Sequence, residues 1–159
     1  MMIMGMFGAP KEVMIGAVSA EGKTPLNAFD NCLIKLGVGD VSLVRLTSIL
    51  PPDVKVVENP PKFYPGSTVP AIYNYIVSTV PGERIAAAII MGRTEGGPTL
   101  VAEVAGRNMT KEEAENSVRD MLEEMARMRG LKLKEILIKS TEHVVERCGC
   151  SIAIVVQIR

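Results

Sequence analysis

The chain has 159 residues, 47% hydrophobic and 23% charged, with 18 Lys plus Arg balanced by 18 Asp plus Glu. That length suits one domain with a sizeable core, while zero formal net charge, 4% aromatics and no Trp remove the positive field and the stacking platforms that nucleic-acid binding uses. No run approaches the roughly 18 apolar residues that cross a bilayer, and Met1 to Met14 lacks the parts of a secretion signal, so a cytoplasmic chain with a loose or oligomer-contacting N-terminal arm is expected.

In chain order, Val13 to Val18 reads as a strand that runs into a turn at Glu21-Gly22. Thr24 then offers an N-cap hydroxyl and Pro25 a first helical position, and the helix should stop near Gly37 and Gly39. Its expected apolar face is Leu26, Phe29, Leu33 and Leu36, with Asp30 bordering that face, where an acid needs a partner. Positions 41–46 alternate as a strand and end at Thr47-Ser48, after which Pro51 keeps Leu50 extended. The proline-rich stretch 51–67 reads as a long irregular connection, the kind that often serves functional sites.

Residues 69–79 and 84–92 read as strands joined through Val80-Pro81-Gly82-Glu83, and 99–105 as a further strand with Glu103 inside its apolar run. Between them, 93–98 lacks the Gly-Lys-Ser/Thr ending of a phosphate loop. Thr110-Lys111-Glu112-Glu113 is a capping box that opens a helix to about Arg129, stopped by Gly130. Ala114, Val118, Met121, Leu122, Met125 and Met128 form its expected buried stripe, with the methionines as core filling. Lys132 to Val145 and Cys150 to Ile158 complete the strands. Two helices with about seven strands between them imply an α+β fold. An odd cysteine count, Cys32, Cys148 and Cys150, argues against structural disulfides, and His143 with Cys148 and Cys150 lacks paired zinc-ligand spacing, so these residues read as flanks of a turn at Gly149.

The junction Leu46-Thr47-Ser48-Ile49-Leu50-Pro51-Pro52 carries chemistry of its own. A serine pinned between a strand and a rigid Pro-Pro can turn its hydroxyl oxygen on the carbonyl carbon of the preceding residue, exchanging amide for ester; elimination then leaves Thr47 as a new C-terminus and Ser48 as the source of a pyruvoyl group, an electron sink for amine substrates. Local chemistry alone equally describes a strand end that caps backbone groups.

This junction, with Glu21-Gly22-Lys23-Thr24-Pro25-Leu26-Asn27-Ala28-Phe29-Asp30, Gly66-Ser67-Thr68-Val69-Pro70, Val80-Pro81-Gly82-Glu83 and Thr141-Glu142-His143-Val144-Val145-Glu146, resembles the pyruvoyl-dependent arginine decarboxylase family in order and spacing. The resemblance implies a four-layer αββα sandwich, cut between Thr47 and Ser48 into chains 1–47 and 48–159, and assembled as a homotrimer with active sites at subunit boundaries. It implies decarboxylation of L-arginine to agmatine on the route to polyamines, through a covalent pyruvoyl group derived from Ser48. By position, Glu103 matches the family's proton donor, Asp30 its guanidinium acceptor, and Gly39, Val41 and Thr47 its substrate pocket. Ser42 stands where the pattern places an asparagine that assists processing, and Asn27 and Asn31 are nearby substitutes by chain proximity. On the residues alone, Glu103 is also a strand glutamate facing water or an arginine, and Asp30 an ordinary helix ion-pair acid. Two further readings stay open: a pyruvoyl decarboxylase of another amino acid, and an uncleaved, non-catalytic homologue.

Overall fold

The computed structural model describes residues 1–159 as an α+β chain of nine strands and two helices. In order these are β1 (Glu12–Glu21), α1 (Pro25–Leu36), β2 (Ser42–Arg45), β3 (Ile49–Leu50), β4 (Lys55–Val57), β5 (Thr68–Ser78), β6 (Arg84–Thr94), β7 (Thr99–Arg107), α2 (Lys111–Met128), β8 (Leu133–Val144) and β9 (Gly149–Gln157). They form a five-stranded sheet in the order β2-β5-β9-β1-β4 and a four-stranded sheet in the order β3-β7-β6-β8.

Alternation along the strands divides the apolar residues among three clusters. Met14, Val69, Ala71, Cys150, Ile152, Ile154 and Val156 of the larger sheet pack with Ala28, Cys32, Leu33 and Leu36 of α1. Val13, Ile15, Ile72, Ala153 and Val155 of that sheet meet Ala87, Ile89, Met91 and Val101 of the smaller one. Ala86, Ala88, Ile90, Leu100 and Ala102 turn instead to Ala114, Val118, Leu122 and Ala126 of α2. Both faces of β6 are therefore buried, which explains its continuous apolar run. No helix is long and apolar enough to cross a membrane.

The helix ends follow the expected chemistry. Thr24 accepts the Asn27 N–H at 3.2 Å, Pro25 opens α1, and Gly37 closes it at φ 82, a left-handed conformation that strains any residue with a Cβ. Thr110 and Glu113 form the reciprocal capping box of α2.

Several expectations are corrected. Leu26 is 74% exposed, because α1 seats on the small Ala28 and Cys32 together with Leu36, which turns Leu26 and Asp30 outward. Met121 and Met128 are exposed, because Ala126 on the opposite rim of the stripe reaches the sheet, leaving Met125 only partly packed. The proline-rich connection is not wholly irregular: β4 inside it pairs in parallel with β1, Glu12↔Lys55 to Met14↔Val57. The apolar side chains of Met1 to Phe7 are exposed, whereas Met14 lies buried inside β1.

At the far end of β1, Glu21 ties three segments together. Its carboxylate meets His143 Nε2 at 2.5 Å and accepts the backbone N–H groups of Arg147 at 2.8 Å, Cys148 at 3.1 Å and Glu146 at 3.2 Å. Gly149 makes the approach possible, since a Cβ there would stand 2.7 Å from a Glu21 oxygen. Desolvation pushes this carboxyl up, but the His143 contact and then the backbone donors outweigh it and hold the pKa at about 2, below its ordinary 4.5. A depressed carboxyl stabilises the fold above its unfolded pKa and loses that contribution as the pH falls from about 4.5 toward 2. Glu21→Gln is expected to cost about 2 kcal/mol at neutral pH, after a discount for partial solvent screening. In urea unfolding of the two chains, the stability curves should converge in acid; a constant offset down to the lowest pH would refute this role.

Candidate functional site

Between β2 and β3 the chain changes sheets. Leu46 is still attached to the larger sheet, its N–H donating to Ala71 O at 2.8 Å, while Ser48 already belongs to the smaller one, its carbonyl accepting the Val101 N–H at 2.8 Å. Thr47 alone spans the gap between these two anchors. Ile49 then pairs with Leu100 and Leu50 with Thr99, so both flanks of the Thr47–Ser48 bond are fixed to different sheets. Thr47 is exposed and lines a groove of about 1010 Å³ with Leu46, Ile49, Pro51 and the Gly96-Gly97-Pro98 turn, while Ser48 is half-buried.

Glu103 stands on β7, the strand that holds Ser48, two residues beyond Val101. Val101 and Ala105 pack between the sheets, so Glu103, in phase with them, points into that same apolar layer. Its Oε2 is buried without any hydrogen-bond partner. Desolvation raises its pKa above the ordinary range, and the Arg45 charge only partly offsets this. Such a carboxyl holds its proton where an exposed glutamate would have lost it.

The remaining expected residues lie elsewhere. Gly39 and Val41 line a separate cavity of about 210 Å³ with Ile34, Asp40, Lys62 and Phe63. Asp30 is exposed on α1 and lines neither that cavity nor the Thr47 groove. Ser42 is exposed at the start of β2, where its N–H donates to Ser67 O at 2.9 Å. Asn27 and Asn31 are committed at the β1–α1 turn: Asn27 Oδ1 accepts from Thr24 Oγ1 at 2.6 Å, and Asn31 Nδ2 donates to Glu21 O at 2.9 Å. Neither side chain is aimed at the Thr47–Ser48 bond. Sequence reading missed Arg45, whose guanidinium lies 5.1 Å from the centre of the Tyr73 ring; the available signal was a lone charge in the apolar run Leu43 to Leu46.

A model of the family described as pyruvoyl-dependent arginine decarboxylase (PvlArgDC) matches residues 13–159. The chain belongs to that family. Among its relatives, the pyruvoyl-dependent arginine decarboxylase of Methanocaldococcus jannaschii is 43% identical over 149 residues, covering 92% of this chain and 89% of the relative. That of Pyrococcus furiosus is 45% identical over 139 residues, covering 86% and 87%, and that of Pyrococcus abyssi 46% over 141 residues, with the same coverage.

The pyruvoyl-dependent arginine decarboxylase family is named for a covalent pyruvoyl group, and the residues at the sheet crossover fit such a group. A serine is held by its backbone at a fixed point, and an orphaned, buried carboxyl oxygen is carried two residues farther along the strand that holds it. Making such a group from the chain uses a serine hydroxyl, and an acid kept protonated suits the return of a proton after a carboxylate is lost.

Proposed function

We propose that this chain decarboxylates L-arginine to agmatine and carbon dioxide for polyamine synthesis, using a pyruvoyl group made from its own Ser48. The observation that carries the reading is the placement of the Thr47–Ser48 bond at the crossover, beside the strand that bears Glu103. In processing, Ser48 Oγ attacks the Thr47 carbonyl carbon; a C–O bond forms as the C–N bond breaks. Elimination then releases Thr47 as a carboxylate. Water enters and ammonia leaves as the remaining unsaturated residue becomes the pyruvoyl terminus. The products are chains 1–47 and 48–159, which together form one domain. Ser42 or a backbone donor assists by polarising the Thr47 carbonyl.

The pyruvoyl group supplies a carbonyl that takes up the electron pair left when carbon dioxide departs. Glu103 Oε2 holds the proton that returns to the former α carbon, and the apolar residues around it keep that proton in place. Gly39 and Val41 offer backbone groups to the substrate, Thr47 lines its entry, and Asp30 gives two carboxylate oxygens to the guanidinium fork.

The layers follow the order αββα, supported by the three apolar clusters: α1 on the larger sheet, the sheets on each other, and α2 on the smaller sheet. The assembly is a homotrimer with each site shared between neighbours. Asp30 supports this, because it is exposed on its own protomer and apart from the Thr47 groove. A cytoplasmic location suits three free cysteines.

Asp30→Asn is expected to raise KM for arginine by about 10- to 100-fold with kcat nearly kept, the worth of a charge-assisted hydrogen bond. Co-expression with Ser48→Ala chains tests the sharing. Mixed trimers should recover sites of normal KM, because the processed Asp30→Asn chain would borrow Asp30 from its neighbour. An unchanged KM in Asp30→Asn would instead reopen the identity of the amino acid, and mixtures that show only the high KM would rule out sharing.

A further inference from the structure

Ser48 leads into β3, a strand of only two residues. Its ladder with β7 stops at Leu50↔Thr99, because Pro51 and Pro52 have no N–H to continue it. The chain then leaves the smaller sheet and joins the larger one at β4. Residues 51–54 are thus a second crossing, just downstream of the one that holds the Thr47–Ser48 bond.

Arg93 of β6 holds this second crossing. Its Nη2 donates to Val54 O at 2.5 Å and its Nη1 to Pro52 O at 3.2 Å, with Thr99 Oγ1 3.5 Å from the same Nη1. Register explains the reach. Arg93 lies one residue past Gly92↔Leu100, the last pair of β6 with β7, which brings it level with Thr99, itself the partner of Leu50. It is in phase with Ile89 and Met91, so it points into the layer between the sheets, where Leu50 and Val54 are buried. On the other side of β6, the ladder with β8 slips by one residue between Gly92 and Thr94, an irregularity of the kind that re-aims a side chain. Glu135 borders the same cavity of about 230 Å³ as Arg93, yet the guanidinium forms no ion pair and is given to backbone carbonyls instead.

We propose that Arg93 is a positioning residue for the pyruvoyl terminus: its hold on Pro52 and Val54 fixes the downstream arm of the Thr47–Ser48 bond before the cut and the free end that carries the electron sink after it. The inference rests on the self-processing reading above. Leu50 and Val54 also seat this arm, but apolar contact is non-directional, whereas a planar guanidinium spanning two carbonyls sets an orientation. Pro51 and Pro52 transmit it, since each has a fixed φ and little bending remains between the clamp and Ser48. Before scission the arm is also tied through Thr47 to Leu46 and the larger sheet. The cut removes that tie. From then on the terminus is placed by the two residues of β3, the Val101 N–H and Arg93.

The test times scission in the full chain, by pulse-labelled cell-free synthesis quenched in denaturant and followed by mass spectrometry. Arg93→Gln should slow the cut by about 10- to 100-fold, the loss that a small misplacement of reacting groups brings. Arg93→Lys, which keeps the charge but cannot span both carbonyls, should be slowed less, though measurably. Arg84→Gln, which breaks the ion pair with Glu142 at the other end of β6, should cut at the wild-type rate. Once processed, Arg93→Gln should show a lower kcat for arginine with KM little changed. Hydrogen exchange in the unprocessed Ser48→Ala background reads whether the effect is local: adding Arg93→Gln should speed exchange at the Val101 N–H that holds Ser48, while the β1–β9 amides stay protected. Scission of Arg93→Gln at the wild-type rate overturns the inference, as does equal slowing in Arg84→Gln or exchange raised alike throughout the fold. If Arg93→Gln does not fold, Arg93→Lys decides, and a cut at the wild-type rate there overturns it. A wild-type chain that never splits removes the self-processing reading and this inference together. A chain that splits and releases carbon dioxide from arginine, with both Arg93 variants as fast as wild type, defeats the inference alone.

Discussion

Ser48→Ala is expected to leave one unbroken 159-residue chain in denaturing mass spectrometry and to lower carbon dioxide release from arginine by more than about 10⁴-fold. The effect is expected to be this large because, in the proposed mechanism, one residue serves twice: Ser48 Oγ attacks in scission and leaves with the Thr47 carboxylate, and the rest of the residue becomes the electron sink, so the variant would lack both the cut and the group made by it. The substitution is mild for the fold. Ser48 is half-buried, its anchor to the Val101 N–H is its backbone carbonyl, and alanine keeps that carbonyl. The wild-type chain should give two products whose summed mass equals the intact chain plus water minus ammonia. Carbon dioxide release by an unbroken Ser48→Ala chain would overturn the assignment of the cofactor to this residue.

Glu103→Gln separates processing from turnover. The variant should still split, since Glu103 takes no part in attack on the Thr47 carbonyl, but kcat should fall by about 10²- to 10⁴-fold with KM little changed, as expected for loss of a positioned general acid. The pH dependence has a definite sign. Desolvation raises the Glu103 pKa against the opposing Arg45 charge, so the acid form persists above the ordinary carboxylate range and wild-type kcat should decline as the pH rises through the raised value. Stability has the same sign: a group with a raised folded pKa is most favourable when protonated at low pH and loses that contribution as the pH rises through its folded pKa. Glu103→Gln should lack this alkaline loss. A kcat equal to wild type at every pH would remove Glu103 from the chemistry.

Most of the fold was legible because its signals are local. Thr24 with Pro25 and Thr110 with Glu113 announce both helices through backbone donors that must be capped within one turn, and both caps form as read. The long strands β5, β6, β7 and β9 declare themselves by sustained apolar patterning. β4 was hidden because it is three residues long and its partner β1 is far along the chain, a pairing that no local pattern encodes. The helix faces were misjudged at their rims for a related reason. Large side chains drew the reading toward Leu26 and Met128, whereas the sheets admit small ones, Ala28, Cys32 and Ala126.

The candidate site was legible in part. Ser48, Thr47 and Glu103 were singled out, and the crossover brings Ser48 onto the strand that carries Glu103. Asp30, expected to border a buried face, is exposed and lines neither the Thr47 groove nor the Gly39–Val41 cavity. Residue order within one chain carries no information about what a neighbouring copy brings, so a site shared between copies is read from sequence only through likeness to relatives. Arg45 escaped notice because a single charge in an edge strand is ordinary until its lack of an ion-pair partner is seen in three dimensions.

The registration of β1 against β9 along its whole length, Val13↔Gln157 to Glu21↔Gly149, has a consequence for the product of scission. The shorter fragment would own the strand next to the middle of the larger sheet, the helix over it and one outer strand, while the longer fragment owns everything to either side. The shorter piece has no interior of its own, and the longer one, though it keeps the cluster under α2, loses Met14, Ala28, Cys32, Leu33 and Leu36 from the cluster under α1. They should therefore migrate as one particle in native separations and come apart only in denaturant, and the shorter gene fragment expressed alone should yield no folded product.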